Sequence, residues 1–460
     1  MMLREKVGTF IRENRLFAKG DAVTVAFSGG PDSTALLVIL NELKDDFGIS
    51  LSATHINHGL RGKESEDDEA FAIETARKLS LAIHVKRINV GKFRKGWGGS
   101  IQSASRELRY KVFSHLVQTG VVNKVVTGHT ADDSVETVLM NILRGTGIHG
   151  LSGIQTVRDG YILRPLINIW KSEILEFLED KQIPFRVDSS NFSMKYTRNS
   201  IREDLLPLLQ KYNPEIKRSI KRSSSVMSDL RNFLMKAGRE GFEKTCLESL
   251  PGKSIILDCE KLRGMDRAVQ MEIVRYSVEL ATGGGAEISF DHFEDVLKLA
   301  LGNDSGETHI HGIKGVKSSN RLYLKNSQVA SVPWYSYDFI SKGDIQINET
   351  GSIVHVEPVP APDLVFDQSC KRIFIDADAL PKNAVIRNRR DGDSFRPMGL
   401  DGIQKLKKFF INNKIPRWER EKLPLLVSGK RVLWIPGYRL SEDLRIREGA
   451  RNILCIDYRD

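Results

Sequence analysis

Ser28-Gly29-Gly30-Pro31-Asp32-Ser33 joins a β-branched run, Val23-Thr24-Val25-Ala26-Phe27, to a stretch of helical character. Such a junction places unpaired backbone N–H groups at a helix N-terminus, where they and the helix dipole favour an anion. The glycines permit close backbone approach, and the hydroxyls of Ser28 and Ser33 add donors for phosphate oxygens. Asp32 fits beside phosphate once a Mg²⁺ stands between them. As plain structure, the same residues read as a turn with Asp32 or Ser33 capping the helix. The loop has neither the Gly-Lys-Ser/Thr of a Walker motif nor a GxGxxG fingerprint, which argues against P-loop kinases and dinucleotide enzymes.

A second junction, Thr127-Gly128-His129-Thr130-Ala131-Asp132-Asp133-Ser134-Val135-Glu136-Thr137, has the same logic. Asp133 and Glu136, three apart, share a helix face and could hold a cation or an ammonium group. A capping box, with Asp133 as N-cap and Glu136 reaching back, explains them equally well. His55-Ile56-Asn57-His58-Gly59-Leu60-Arg61 ends another strand. His-x-x-His without further ligands is a poor metal site, so a loop lining a nucleotide pocket is the better reading for His55 and His58. Arg198 and Arg202, at i and i+4, could clamp phosphates from one helix face, as could Arg109. Each is also accounted for by a solvated helix face.

These residues need a frame. Strands at 23–27, 51–56, 82–88 and 124–127 alternate with helices at 33–42, 64–79, 103–117 and 133–143, which predicts a parallel sheet with ligands at its carboxyl edge. Beyond Trp170 helices follow at 171–181, 201–212 and 215–239. Short alternating segments such as 318–324 suggest strands in a middle region, and Pro358, Pro360 and Pro362 suggest an extended linker or edge. Strands at 372–375 and 432–435 with a basic helix at 404–412 make the last part. The expected architecture is an α/β domain (1–212), a helical or α+β middle domain (213–340) and a small α+β C-terminal domain (341–460).

A chain of 460 residues carrying 28% charged and 40% hydrophobic residues is an ordinary globular protein of several domains. No window has the run of apolar residues that a membrane span needs, and no secretory h-region opens the chain, so a cytosolic location is expected. Cys246, Cys259, Cys370 and Cys455 fit neither a disulfide framework nor a zinc site, and none precedes Cys246. The net charge of +10 is concentrated: 386–422 holds eleven Lys/Arg against five Asp/Glu, and 211–244 nine against four. Such segments are candidates for contact with nucleic acid, with Phe395 and Trp418 as stacking groups and Phe409 and Phe410 as core.

In order along the chain, the Ser28–Ser33 loop, His55–Arg61, Gly128–Thr137, Leu143-Arg144-Gly145, Leu163-Arg164-Pro165-Leu166 and Arg198–Arg202 resemble the tRNA(Ile)-lysidine synthetase family, within the N-type ATP pyrophosphatase (PP-loop) superfamily. The loop is common to the superfamily; the His55 and Gly128 segments are much narrower. Arg387–Asp393, Pro397, Lys405–Phe409 and Pro416-Arg417 resemble the family's C-terminal domain. The resemblance implies a ligase that uses ATP and Mg²⁺. It would adenylate the C2 oxygen of the wobble cytidine of tRNA(Ile), release diphosphate, and let free L-lysine displace AMP. The product, lysidine, would read AUA instead of AUG. Nucleotide would lie on Ser28, Gly29, Gly30, Pro31, Asp32, Ser33, His55 and His58, with Mg²⁺ on Asp32. Asp32, Arg109, His129, Asp133 and Glu136 would carry the chemistry, Asp133 and Glu136 at the lysine ammonium. Arg61, Arg198, Arg202, Arg389, Arg390, Lys405, Lys407 and Lys408 would contact RNA. A homodimer suits a multidomain form. The alternative is a PP-loop tRNA thiolase or other base-modifying relative, which the absence of cysteine before Cys246 disfavours.

Overall fold

Ala22–Ala26 (β1) is buried in its middle on both faces, the mark of a strand inside a covered parallel sheet. The computed structural model describes residues 2–60, 62–91, 93, 100–186, 197–284, 290–310, 312–327, 332–360, 370–399, 402–413, 415, 417–446, 450 and 452–459. Arg61, Tyr196, Pro362, Pro416 and the side chain of Trp418 therefore lie outside the described residues. The chain forms two compact units, Met1–Met235 and Lys236–Asp460.

In the first unit the helix Leu3–Glu13 (α1) precedes β1, and Pro31–Phe47 (α2), Ser50–Asn57 (β2), Lys63–Lys78 (α3), Ala82–Arg87 (β3), Ile101–Gln118 (α4) and Lys124–Val126 (β4) follow. Ala131–Leu143 (α5), Val157–Arg158 (β5), Ile162–Leu163 (β6), Lys171–Asp180 (α6), Leu206–Tyr212 (α7) and Ile216–Thr245 (α8) complete it, α8 carrying the chain into the second unit. The sheet order is β3-β2-β1-β4-β6-β5. All neighbours are parallel except β5, which runs antiparallel to β6 at the edge. The chain leaves β1 toward β2 on one side and returns to β4 on the other, so the crevice between the ends of β1 and β4 is the switch point. Leu36, Leu37, Ile39 and Leu40 of α2 are fully buried against this sheet, each contributing roughly 1.5–3 kcal/mol.

Helices start earlier than the sequence suggests. α2 begins at Pro31 with Gly30 as N-cap and no side-chain cap, so neither Asp32 nor Ser33 serves as one. α5 begins after Thr130, not at Asp133. The helix expected over 201–212 opens with a π turn, Ile201–Leu205.

The described residues of the second unit form three sheets. An antiparallel one orders Cys246–Leu250, Ser254–Asp258, Arg321–Asn326, Ile313–Ser318 and Gly306–Ile310. Its core includes Val274, Val278 and Val296 from the helices Arg267–Thr282 and Phe290–Leu301. The strand expected over 318–324 is a hairpin, turning at Ser319 with φ 55°. Pro358 lies in the strand Ser352–Val359 opposite Leu454; pairing on its other side stops at Val356, so no partner there asks for the missing N–H. The segment 404–412 divides into a two-residue strand and the helix Leu406–Asn412. Phe395, Phe409 and Phe410 are all core, which corrects the stacking role for Phe395.

Asp393 is the pin of this unit. Its carboxylate accepts from Arg387 Nη1 and Nη2 at 3.0 and 2.8 Å and from the Arg390 N–H at 2.7 Å, with both charged side chains buried. Removing one member strands the other charge in low dielectric. Asp393→Ala is expected to cost about 3–5 kcal/mol in urea unfolding of the unit, against less than about 1 kcal/mol for Asp391→Ala at the exposed turn; equal, small losses would show that the pair is not structural.

Candidate active site

Adjacency of β1 and β4 sets the site. Gly128, just past β4, lies so close to the loop after β1 that a Cβ there would stand 3.1 Å from both the Asp32 carbonyl carbon and the Ser33 nitrogen. Any other residue would press the two backbones apart by a few tenths of an ångström, and glycine here joins the two motif segments in one crevice. Gly29 has φ +85°, open to glycine at no steric cost, and its carbonyl accepts from the Arg186 N–H at 2.9 Å. Ser33 Oγ donates to Gly30 O at 3.0 Å and lies 3.1 Å from Ser28 Oγ, so the two hydroxyls hold the loop in shape. His55 is buried and its Nδ1 sits 2.9 Å from Phe27 O, supporting the loop from β2. Asn57 serves the next turn instead, accepting from the Gly59 N–H and donating to Glu69 Oε2 at 2.8 Å. Hydrogen bonds from Arg87 and Asn57 hold the Glu69 carboxyl down to about 2.

Asp32 stands apart. Its Oδ1 is buried with no hydrogen-bond partner among the described residues. Burial pushes the carboxyl up to about 6, Lys171 opposing and Asp133 and Asp132 adding to the rise. A buried anionic oxygen lacking a donor is what a hard cation requires. No group of three His, Cys, Asp or Glu side chains able to hold a metal exists among the described residues. The donor set therefore suits an ion completed by phosphate oxygens and water, the usual way Mg²⁺ binds.

The second junction differs from the capping reading of its sequence. Thr130 is the N-cap and Asp133 the third helical residue of a capping box: Asp133 Oδ2 accepts from the Thr130 N–H at 2.8 Å, and Thr130 Oγ1 accepts from the Asp133 N–H at 3.3 Å. Glu136 does not reach back. Only 1% exposed at its side chain, it accepts from Arg198 Nε at 2.6 Å and Arg202 Nε at 2.7 Å. Arg198 Nη2 also donates to Asp133 Oδ1 at 2.8 Å. The π turn carries Arg202, and arginines expected to clamp phosphate instead neutralise the two carboxylates. Asp132 is spoken for, accepting from the Lys171 N–H at 2.8 Å and from Lys217 Nζ at 2.9 Å.

His129 has its Nδ1 2.9 Å from Thr127 Oγ1. Burial, then the charges of Arg164, Arg106, Arg109 and Arg198, hold its pKa well below the ordinary value, so the ring is neutral at pH 7. Burial and Arg106 likewise pull the Arg109 guanidinium down, though not to neutrality. Arg106, Arg158, Tyr110, Lys171 and Lys217 were not singled out from the sequence; Arg106 and Arg158 stay exposed, while the fold half-buries Tyr110, Lys171 and Lys217. In the second unit Lys405, Lys407 and Lys408 are exposed, as is Arg390, while Arg389 is half-buried. Of the basic stretch 211–244, Lys217 and Arg231 are used internally, Arg231 donating to Gln155 Oε1 at 2.9 Å, so it presents less free charge than its composition implies.

Residues 2–209 match a family described as PP-loop domain, and residues 384–456 one described as TilS substrate C-terminal domain. The chain is 32% identical to a tRNA(Ile)-lysidine synthase of Caldanaerobacter subterraneus subsp. tengcongensis, covering 99% of this chain and 97% of that one. Against the enzyme of that name from Clostridium acetobutylicum it is 31% identical, covering 99% of both chains. For Geobacter sulfurreducens the figure is 33%, covering 99% of this chain and 97% of the relative.

Asp32 gives a paired prediction. Its raised carboxyl means that the unliganded fold holds a proton which the unfolded chain gives up near pH 3.8, so its contribution to stability declines between there and about pH 6. Asp32→Asn should stabilise the free protein at pH 7 by on the order of 2 kcal/mol. The parent should lose Mg²⁺–ATP affinity as pH drops below about 6, and the variant should lack that pH dependence. Thermal melts and nucleotide titrations across pH 5–8 read both; a destabilised variant with an unaltered pH profile contradicts the assignment.

Proposed function

The chain belongs to the tRNA(Ile)-lysidine synthase family, PP-loop ligases that use ATP, and from that premise we propose that it joins free L-lysine to C2 of the wobble cytidine of tRNA(Ile). The reaction proceeds in two steps. The cytidine C2 oxygen attacks the α-phosphorus of ATP, diphosphate leaves, and the lysine ε-amine then displaces AMP from C2. The modified base pairs with A, moving codon reading from AUG to AUA. One observation carries the reading: in one crevice, a phosphate-suited loop with an unpartnered buried carboxylate lies against a pair of carboxylates suited to an ammonium group.

Each residue has a role in this proposal. Backbone amides around Gly29 and Gly30, with the Ser28 and Ser33 hydroxyls, receive the β- and γ-phosphates, and α2 adds its N-terminal dipole. Asp32 would hold a Mg²⁺, which neutralises charge on the departing diphosphate. Arg109 and neutral His129 face the α-phosphate or the activated base; with Nδ1 at Thr127, the His129 Nε2 is the ring nitrogen left for substrate. Asp133 and Glu136 receive the lysine ammonium and direct loss of its proton before attack. In the ligand-free protein Arg198 shields both, so lysine entry requires it to yield Asp133. His55 and His58 serve the nucleotide, and Arg61 is assigned to RNA from its place in the motif alone. We further propose that 1–212 is the catalytic domain, and that 213–340 and 341–460 contact tRNA, the latter through Arg389, Arg390, Lys405, Lys407 and Lys408. A homodimer and a cytoplasmic location accompany the reading.

Diphosphate release from ATP should require tRNA(Ile) bearing C34, and lysine incorporation should follow it, with tRNA(Met) inert; release that ignores the RNA, or release with no lysine incorporated, removes the proposal. Asp133→Asn should lose at least about 10²-fold in incorporation of labelled lysine while ATP still binds. Neutralising Lys405, Lys407 and Lys408 together should flatten the salt dependence of tRNA affinity by about 2–3 units of log–log slope. A slope that does not move excludes this surface.

A further inference from the structure

Around Tyr110 the first unit gathers more positive charge than it neutralises. Arg106, Arg109 and Tyr110 stand at i, i+3 and i+4 on α4 and so share a face. Arg158 ends β5, and Arg164 follows β6, across the small antiparallel pair. The Arg106 and Arg158 guanidinium carbons lie 5.0 and 4.2 Å from the Tyr110 ring centroid. Arg164 is 3% exposed, and its Nη1 is held by Gln155 O, yet its Nε is buried with no hydrogen-bond partner among the described residues. The carboxylate paired with this group among the described residues is Asp159, with Arg158, and both those side chains are well exposed. Arg106 and Arg158 are exposed, so water screens much of their mutual repulsion, but guanidinium groups gathered about Tyr110 with one paired carboxylate among the described residues make a ready seat for an anion.

Resting on the reading under Proposed function, we propose that Arg106, Arg158 and Arg164, arrayed on Tyr110, seat backbone phosphates of the RNA strand that brings the reacting base to His129. Guanidinium groups suit phosphate bidentately and stack on aromatic rings, so Tyr110 is a positioning residue that fans them out. One phosphate of ATP shares this chemistry. A strand with successive phosphodiesters makes fuller use of three separate cations, and extruding a base from its stack needs its flanking phosphates held.

The test is direct binding of a synthetic anticodon stem-loop RNA to the full chain, without ATP, between about 50 and 200 mM salt. Arg106→Gln combined with Arg158→Gln should weaken binding at least tenfold at the lowest salt. Each lost phosphate contact in a single strand should reduce the log–log slope by about 0.7. ATP affinity, measured without RNA, should stay within twofold of the parent, which also reports that the unit is folded. Tyr110→Phe, keeping the ring, should bind as the parent does, and Tyr110→Ala should approach the double variant. An unchanged slope in the double variant overturns the proposal. Loss of ATP affinity with RNA binding intact overturns it too, assigning the arginines to the nucleotide. Because the assay needs no turnover, it separates from the functional reading. Parent protein that fails to transfer lysine while the variant loses RNA contacts defeats that reading alone; active protein with unaltered RNA binding in the variant defeats this one alone.

Discussion

Everything at the site depends on the contact between Gly128 and the peptide of Asp32. A strand pair that diverges in the chain on either side of β1 would by itself leave a shallow groove. With no side chain at Gly128, the start of α5 moves against the start of α2, and two helix N-termini converge on one small volume. Convergence of two dipoles favours anions, and it also buries Asp32, which raises its carboxyl, with Asp133 and Asp132 near enough to add to the rise.

Charge around this contact is handled in three different ways. Asp133 and Glu136 are neutralised by Arg198 and Arg202, Asp132 by Lys217 and a backbone donor, and Asp32, whose Oδ1 has no hydrogen-bond partner among the described residues, by the field of Lys171 and Arg202. Among the described residues, the arginines near Tyr110 meet a carboxylate at Asp159 alone. In the proposed roles, the carboxylates assigned to lysine are thus satisfied in the resting protein, and the groups assigned to metal and phosphate are not. Such an order fits a reaction in which nucleotide and RNA must arrive before the amine has anything to attack.

The sheet and its switch point were legible from the alternation of β-branched and helical runs, because parallel strands buried on both faces have few other patterns. The chemistry-bearing loop was legible for a related reason: glycine, hydroxyl and carboxylate at a strand–helix junction have few uses. Pairing of charges was not. Arg198 and Arg202 read as a phosphate clamp because nothing local announces that a residue sixty positions upstream on another helix will claim them. Phe395 failed similarly, since a two-residue strand at a sheet's margin gives no periodicity from which to tell core from surface. The capping box was read with the right chemistry and the wrong start, three residues late, a shift that changes which oxygen of which carboxylate is committed.

That shift bears on what position 133 can become. One oxygen of Asp133 closes the first turn of α5 and the other meets a guanidinium. Asparagine preserves a hydrogen-bonding shape but gives up the charge; glutamate can close such a cap, as Glu173 does at the Trp170 N–H at 2.9 Å, but carries its second oxygen a methylene further along its arm; serine keeps neither the reach nor the charge. Change at this position therefore touches the end of a helix and the pairing of a guanidinium together.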